Sequence, residues 1–267
     1  MVGLVINNAN LKLTTRLIYH VLRHTKNLNS YKLKRMCFSA SASFGAGIVL
    51  AAISVASIKK VQNPSQMFFA SIPIIFCVQQ TAEGFLWLAL TKPYFASLQQ
   101  FMTYTFLFFA QVVWPLWIPF ASLKLKREEE NVLFQWLLVG IGLAVALYLG
   151  YCLITYPVEA KIIGHHITYL QEYPILFGSY GDLLYIIATV TPPLFSGVKK
   201  MWLLSITIII SYIITTILYV DYIVSVWCFF SSIISISVLI VMAEIKNPSK
   251  KKSKFYYRIN TTKKTIV

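Results

Sequence analysis

The sequence predicts an all-α membrane protein, a bundle of about seven transmembrane helices. Hydrophobic residues make up 57% of the 267 positions, charged residues only 12%, and the mean hydropathy is +0.67. A soluble domain carries about a quarter charged residues. Seven apolar runs also follow one another along the chain, and a helix needs about 20 apolar residues to cross a bilayer. A polytopic helical bundle is the fold class that accommodates all three observations.

Each run is long enough to cross a membrane as a helix, which satisfies its own backbone hydrogen bonds in lipid. The shortest connection lies between the sixth and seventh runs. There Asp221, with a tyrosine close on each side, predicts a tight hairpin at the membrane interface. In chain order the runs are Phe38–Ile58, Met67–Leu90, Phe101–Leu123, Leu133–Thr155, Leu176–Phe195, Trp202–Val220 and Tyr222–Met242.

Lysine and arginine are unevenly distributed over the connections between the runs. Fifteen lie after the first, third and fifth runs and in the tail, whereas the other connections carry only Lys92 and Lys161. Basic residues remain on the cytoplasmic side of a membrane. We therefore expect the N-terminus of the first helix outside and the C-terminus in the cytoplasm. We also expect residues 36–243 to form the transmembrane domain and residues 244–267 to form a basic, disordered tail near anionic lipid.

Residues 1–35 carry seven basic residues and no acid, although the charge pattern places them outside. Three interpretations are open: an organellar-type presequence, a cytoplasmic arm that would change the helix count, or a start of translation at Met36. We favour the start at Met36, because it removes the charge conflict. Cys37 then becomes an N-terminal residue with a free amine or, on the plainer interpretation, caps the first helix.

Six sequence stretches carry a family resemblance. They are MCFSASASF at Met36, FASIPIIFCVQQTAEGFLWL at Phe69, VVWPLWIPFA at Val112, GLAVALYLGY at Gly142, GHHITY at Gly164 and VSVWCFF at Val224. In this order they resemble a family of bacterial multi-pass membrane proteins known only as a domain of unknown function. The resemblance covers Met36 to about Leu239, and members typically begin at the MCFSA stretch. It implies a helical fold in the bacterial inner membrane and no established activity.

Glu83 is the one acidic residue well inside an apolar run. A carboxylate in hydrocarbon is costly unless it is paired, protonated or in a polar cavity, so Glu83 is a candidate functional residue. Gln79 and Gln80 precede it by four and three residues and therefore share its helical face, while Gly84 admits a close neighbour. The alternative is a protonated Glu83 that ties helices together through a glutamine.

Further polar candidates fall on the same predicted outer side as Glu83, which lies about 10 Å below the end of its helix. Their side chains suit zinc or another divalent metal, an acid–base pair for hydrolysis, or a small polar ligand. The metal candidates are Cys37, Glu83, His165 and His166. The catalytic candidates are Glu83 and His166. The ligand-binding candidates are Gln79, Gln80, Glu83, Asp182 and Cys228.

The support for a metal is limited, because no two of these candidates have the spacing of a known metal motif. The GHHITY stretch is equally an interfacial loop with histidine and tyrosine at headgroup depth. A disulfide from Cys37 to Cys152 or Cys228 is an alternative use of the outer cysteines. On the inner side we expect Glu128–Glu130 and Glu244 to be ordinary solvated charges.

Local signals predict the shape of two helices. Pro115 and Pro119 each remove a backbone donor, so we expect a kink in the third helix. Gly142, Ala146 and Gly150 share one face of the fourth helix and predict close packing against a neighbour.

Several protein classes are excluded. The seventh run contains no lysine for a retinal Schiff base, and no nucleotide-binding glycine loop or iron–sulfur cysteine spacing is present. The net charge of +15 lies in connections and tail, so we expect membrane lipids and no nucleic acid as partners. Three functions remain, in this order: a binding module with an outer polar pocket, a membrane-embedded lipid hydrolase, and a proton-coupled transporter of small solutes that uses Glu83.

Overall fold

The computed structural model describes residues 39–125, 132–163, 166–174, 180–218 and 230–247. This part of the chain is mostly helical and forms seven helical segments and one β-hairpin. The segments follow the order of the seven predicted runs. They are α1 (Ala40–Ile58), α2 (Pro64–Thr91), α3 (Pro93–Leu125), α4 (Val132–Thr155), α5 (Tyr180–Leu194), α6 (Trp202–Leu218) and α7 (Ser231–Lys246).

Four segments, α1 to α4, are long and apolar enough to cross a membrane. Within α5 and α6 the apolar helices are shorter, at Leu183–Leu194 and Trp202–Thr216. The helical fold class is therefore confirmed, while seven membrane spans remain a prediction. The expected turn at Asp221 lies outside the described residues, as do the segments 1–38 and 248–267.

α2 and α3 are composite helices whose breaks coincide with prolines. Pro64, Pro73 and Pro93 each stand in the first turn of a helical piece, where the missing N–H is not needed. α2 consists of a 3-10 turn at Pro64–Gln66 and α-helices at Met67–Ala70 and Ile72–Thr91. α3 consists of a 3-10 turn at Pro93–Leu98, an α-helix at Gln99–Phe108, a π-helical turn at Phe109–Val113 and an α-helix at Trp114–Leu125.

The prolines of α3 follow this π-helical turn directly, and the kink expected at them stays a prediction. The amide of Trp114 donates to the carbonyl of Phe109, five residues back. The next donor in this pattern would be residue 115, which is a proline and has no N–H. The carbonyl of Ala110 instead accepts a hydrogen bond from the hydroxyl of Tyr185 on α5 at 2.6 Å. A side chain of another helix thus satisfies the carbonyl that Pro115 cannot.

Two strands, β1 (Val158–Ile163) and β2 (His166–Gln171), form an antiparallel hairpin between α4 and α5. The sequence analysis expected only a connection here. Alternate residues of β2 are buried, as is typical of a strand with one face on a core. The hairpin packs on the last turns of α2 and α4 and on α3 through a cluster of Leu86, Trp87, Phe106, Leu107, Leu153, Ala160, Ile167 and Tyr169.

The bundle has two chemically different ends. We call the end covered by the β-hairpin the hairpin end. The opposite end, which we call the basic end, contains the last residues of α1, α3 and α7 and the α5–α6 connection. Six of the eight lysines in the described ranges lie at the basic end, and Lys92 and Lys161 lie at the hairpin end.

Glycines allow close packing where the sequence predicted it. A Cβ atom on Gly142 of α4 would lie 2.0 Å from the carbonyl oxygen of Pro115, so the two backbones touch. A Cβ atom on Gly84 would lie 2.7 Å from the ring of Phe44 on α1, so this ring packs directly on the backbone of α2. These contacts fix α4 against α3 and α1 against α2.

Glu244 corrects one expectation from the sequence. It is only 6% exposed, whereas we expected a solvated charge. Its two oxygens lie 2.6 Å from Nζ of Lys199 and 2.9 Å from Nζ of Lys200, both in the α5–α6 connection. The sequence could not show this, because the two lysines are more than 40 residues from Glu244 along the chain. Glu128–Glu130 lie outside the described residues.

Candidate functional site

The polar residues predicted on α2 are all buried. Gln79, Gln80 and Glu83 are 1%, 3% and 2% exposed. Nε2 of Gln80 donates to Oε2 of Glu83 at 2.8 Å, the contact expected for residues three apart on a helix. The structure therefore brings Gln80 and Glu83 together as predicted. This hydrogen bond lies within one helix, so it does not itself join two helices.

Gln79 connects α2 to α3. Its Oε1 accepts a hydrogen bond from Nε1 of Trp114 at 2.7 Å. The ring of Trp114 also stacks on Phe76, one turn before Gln79, with 3.9 Å between centroids. Trp114 is the first residue after the π-helical turn, so that turn sets the direction in which the indole meets α2.

Gln111, inside the π-helical turn, is 1% exposed and joins α3 to the hairpin. Its Nε2 donates to Oε1 of Gln171 on β2 at 3.0 Å. Its Oε1 accepts from the hydroxyl of Tyr173 at 3.1 Å. Burial raises the pKa of Tyr173 well above its ordinary value, so the hydroxyl stays protonated and remains a donor.

Two further hydrogen bonds attach the hairpin and the residues directly after it to the helices. The hydroxyl of Tyr148 on α4 donates to the carbonyl of Pro174 at 2.5 Å, directly after Tyr173. Nε2 of Gln99 on α3 donates to the carbonyl of Ala160 at 3.3 Å. These contacts hold the hairpin against α3 and α4.

Three hydrogen-bonded groups make up what we call the polar cluster: Gln80 with Glu83, Gln79 with Trp114, and Gln111 with Gln171 and Tyr173. The sequence analysis found its α2 members and missed the other four. Gln111 could have been suspected as a glutamine inside an apolar run. The burial of Gln171 and Tyr173 depends on the hairpin, which the sequence analysis did not predict.

The other predicted site residues are placed less fully. His166 is the first residue of β2, is partly buried, and pairs with Ile163 across the hairpin. Cys37, His165 and Cys228 lie outside the described residues. Asp182 is in the first turn of α5, but its side chain is not among those described. Cys152 is fully buried in α4 and has a free thiol.

Within the described ranges, no three His, Cys, Asp or Glu side chains form a group that could hold a metal ion. Glu83 and His166 lie within those ranges, whereas the metal candidates Cys37 and His165 lie outside them. The functional groups of the polar cluster are four primary amides, one carboxyl group, one phenol and one indole. These groups bind polar ligands by hydrogen bonds.

Comparison with known proteins places the chain in a family. No curated protein and no solved structure matches the chain. One family matches residues 36–254, more than four fifths of the chain, and it is described as a family of unknown function, DUF6629. The matched region contains every described helix and the β-hairpin. The chain belongs to the family of unknown function DUF6629.

Proposed function

We propose that the protein is a multi-pass membrane protein of the bacterial inner membrane, in which all seven helical segments cross the bilayer. The hairpin end faces outside and the basic end faces the cytoplasm. The length and apolar character of α1 to α4 support insertion. The concentration of lysines at one end of the described structure supports the orientation.

The function that the geometry supports best is binding of a small polar ligand at the polar cluster. The observation that carries this proposal is the burial of Gln79, Gln80, Glu83 and Gln111, each at most 3% exposed, within otherwise apolar helices. Buried polar groups in a membrane are costly and are concentrated where function requires them.

Two buried donors at the hairpin end indicate the kind of ligand. Within the described structure, Nε2 of Gln171 and Nε1 of Trp87 have no hydrogen-bond acceptor. A buried donor without an acceptor costs about 1–3 kcal/mol. A solute with carbonyl or hydroxyl oxygens would supply acceptors to such donors, and Glu83 would receive a donor of the same solute.

A second candidate function is proton-coupled transport of the same solute. The π-helical turn of α3 favours it, because such turns occur frequently at functional sites and leave a helix locally adjustable. Glu83 would then carry the proton. The third candidate, a lipid hydrolase with Glu83 and His166 at a metal or as acid and base, draws no support from the described residues beyond the presence of both side chains.

The test compares wild type, Glu83→Gln and Glu159→Gln in detergent. Glu159 is an exposed carboxylate of the hairpin and serves as the matched control. We would measure metal content by elemental analysis and thermal stabilisation by a panel of neutral, cationic and anionic small solutes. We expect a stabilising solute whose affinity falls about 30-fold in Glu83→Gln, from the loss of a charge-assisted hydrogen bond worth about 2 kcal/mol.

The outcomes separate the three functions. Glu159→Gln should bind the solute as wild type does. A stoichiometric metal that disappears in Glu83→Gln would replace ligand binding with the hydrolase. Solute uptake into vesicles that needs both a proton gradient and Glu83 would favour the transporter. If no solute distinguishes the two variants and no metal is present, the binding proposal is wrong and Glu83 is a structural residue.

A further inference from the structure

Five of the six described lysines at the basic end come from three neighbouring parts of the chain, and we call them the lysine patch. Nζ of Lys246 lies 3.3 Å from the carbonyl oxygen of Lys59, so the ends of α7 and α1 meet. Lys199 and Lys200 bind Glu244, two residues before Lys246. The lysine patch consists of Lys59, Lys60, Lys199, Lys200 and Lys246.

Glu244 orders part of the patch without neutralising it. Each of its oxygens accepts one lysine, and a single carboxylate balances the charge of only one of the two ammonium groups. The side chains of Lys199 and Lys200 are 52% and 40% exposed. The patch and its bound carboxylate therefore comprise five lysines and one glutamate. The patch keeps a strong positive charge in a fixed arrangement.

Lys200 adopts a backbone conformation that is unusual for its residue type. Its φ is 67°, in the left-handed region that favours glycine. It is the one described non-glycine residue with a positive φ. This conformation brings two consecutive lysines to the same carboxylate.

Apolar side chains adjoin the lysine patch. Val55 precedes Lys59 by one turn of α1 and is 53% exposed, and Ile240 on α7 is 38% exposed. Trp202, two residues after Lys200, is 49% exposed, and tryptophan favours the depth of the lipid headgroups. A free anion would need only the lysines, whereas a lipid would use both the charged and the apolar surface.

We propose that the lysine patch is a binding site for the headgroup of an anionic phospholipid, with the acyl chains along the exposed apolar faces of α1 and α7. This inference rests on the proposed insertion in a membrane with the basic end at the cytoplasmic leaflet. Anionic lipid in that leaflet attracts basic residues close to the surface. Phosphate oxygens accept the remaining ammonium hydrogens, and the bilayer supplies the apolar part of the ligand.

The experiment uses the full chain reconstituted in phosphatidylcholine vesicles with or without phosphatidylglycerol. Retention of phosphatidylglycerol by the protein is measured by native mass spectrometry after detergent extraction. The variant is Lys59→Gln/Lys60→Gln, which leaves in place the two lysines that bind Glu244. The matched control is Lys92→Gln/Lys161→Gln, which removes the same charge at the hairpin end.

We expect wild type to retain phosphatidylglycerol in preference to phosphatidylcholine. Each lysine near an anionic surface contributes about fivefold in affinity, so the Lys59/Lys60 variant should lose about 25-fold. The Lys92/Lys161 control should stay within about twofold of wild type. Salt should weaken retention by wild type, because the attraction is electrostatic.

Three results would overturn this proposal alone: equal losses in both double variants, no preference for phosphatidylglycerol, or displacement of the lipid by inorganic phosphate at equal concentration. The last would identify a free-anion site. Failure of wild type to insert even in phosphatidylcholine would overturn the proposed membrane function and this inference with it. Insertion without lipid preference therefore distinguishes the two proposals.

Discussion

Replacing Gln111 with leucine removes the residue that joins the π-helical turn to the hairpin. Two side-chain hydrogen bonds disappear, the donor to Gln171 at 3.0 Å and the acceptor from Tyr173 at 3.1 Å. Leucine has a similar volume, so packing changes little. What remains is a buried amide oxygen on Gln171 and a buried phenol on Tyr173 without their partner.

The magnitude follows from these two bonds. Side-chain hydrogen bonds in membrane proteins contribute about 0.6 kcal/mol on average and at most about 1.7. A buried polar atom that loses its partner costs about 1–3 kcal/mol. We therefore expect Gln111→Leu to lower the free energy of unfolding by about 2–3 kcal/mol.

Gln135 provides a matched control on α4. It is a glutamine of equal burial, 2% exposed, near the basic end. Its Oε1 has no hydrogen-bond partner within the described ranges. Gln135→Leu removes a poorly satisfied polar group, so it should leave the free energy of unfolding unchanged or slightly increase it.

The assay is equilibrium unfolding of both variants in mixed micelles with increasing denaturing detergent, followed by tryptophan fluorescence. Limited proteolysis at the hairpin adds a local measurement. Gln111→Leu should also speed cleavage within residues 158–171, since it releases the hairpin from α3. Gln135→Leu should not speed this cleavage. The reasoning is refuted if Gln135→Leu loses as much stability as Gln111→Leu, or if the hairpin is equally protected in both.

Two further substitutions test the packing and the ion pairs. Gly142→Ala should destabilise by more than about 2 kcal/mol, because its Cβ would lie 2.0 Å from the carbonyl of Pro115; Gly140→Ala, with open space around it, should be neutral or stabilising in thermal unfolding. Glu244→Ala should cost about 2 kcal/mol by the same measurement, since its buried carboxylate holds two half-exposed lysines, while Glu159→Ala breaks an exposed pair and should cost under about 0.5 kcal/mol; equal effects would contradict the burial argument.

The part of the polar cluster on α2 could be predicted because it depends only on local geometry. Residues three and four apart on a helix share a face, so Gln79, Gln80 and Glu83 follow from their spacing. The prolines of α3 predicted a kink, and the structure has a π-helical turn directly before them. The composition of the chain sufficed for the helical fold class.

The polar-cluster residues on α3 and the hairpin could not be predicted, because residue spacing along the chain does not determine their positions. A π-helical turn adds a residue to one turn, so every later side chain of α3 points in a direction that regular helical periodicity does not give. The contact of Trp114 with Gln79 is one result. The hairpin adds a second difficulty, since Gln171 binds Gln111, which lies 60 residues earlier in the chain.

The hydrogen bond from Tyr185 to Ala110 has an evolutionary consequence. A proline at position 115 leaves the carbonyl of Ala110 without a backbone donor, and the phenol of Tyr185 supplies one from another helix. Replacing Tyr185 alone would leave the carbonyl of Ala110 without this donor. Replacing Pro115 alone would supply a backbone N–H that competes with Tyr185 for the same carbonyl. Within the DUF6629 family, positions 115 and 185 should therefore change together, and Tyr185 should give way to other residues chiefly where Pro115 has already been replaced.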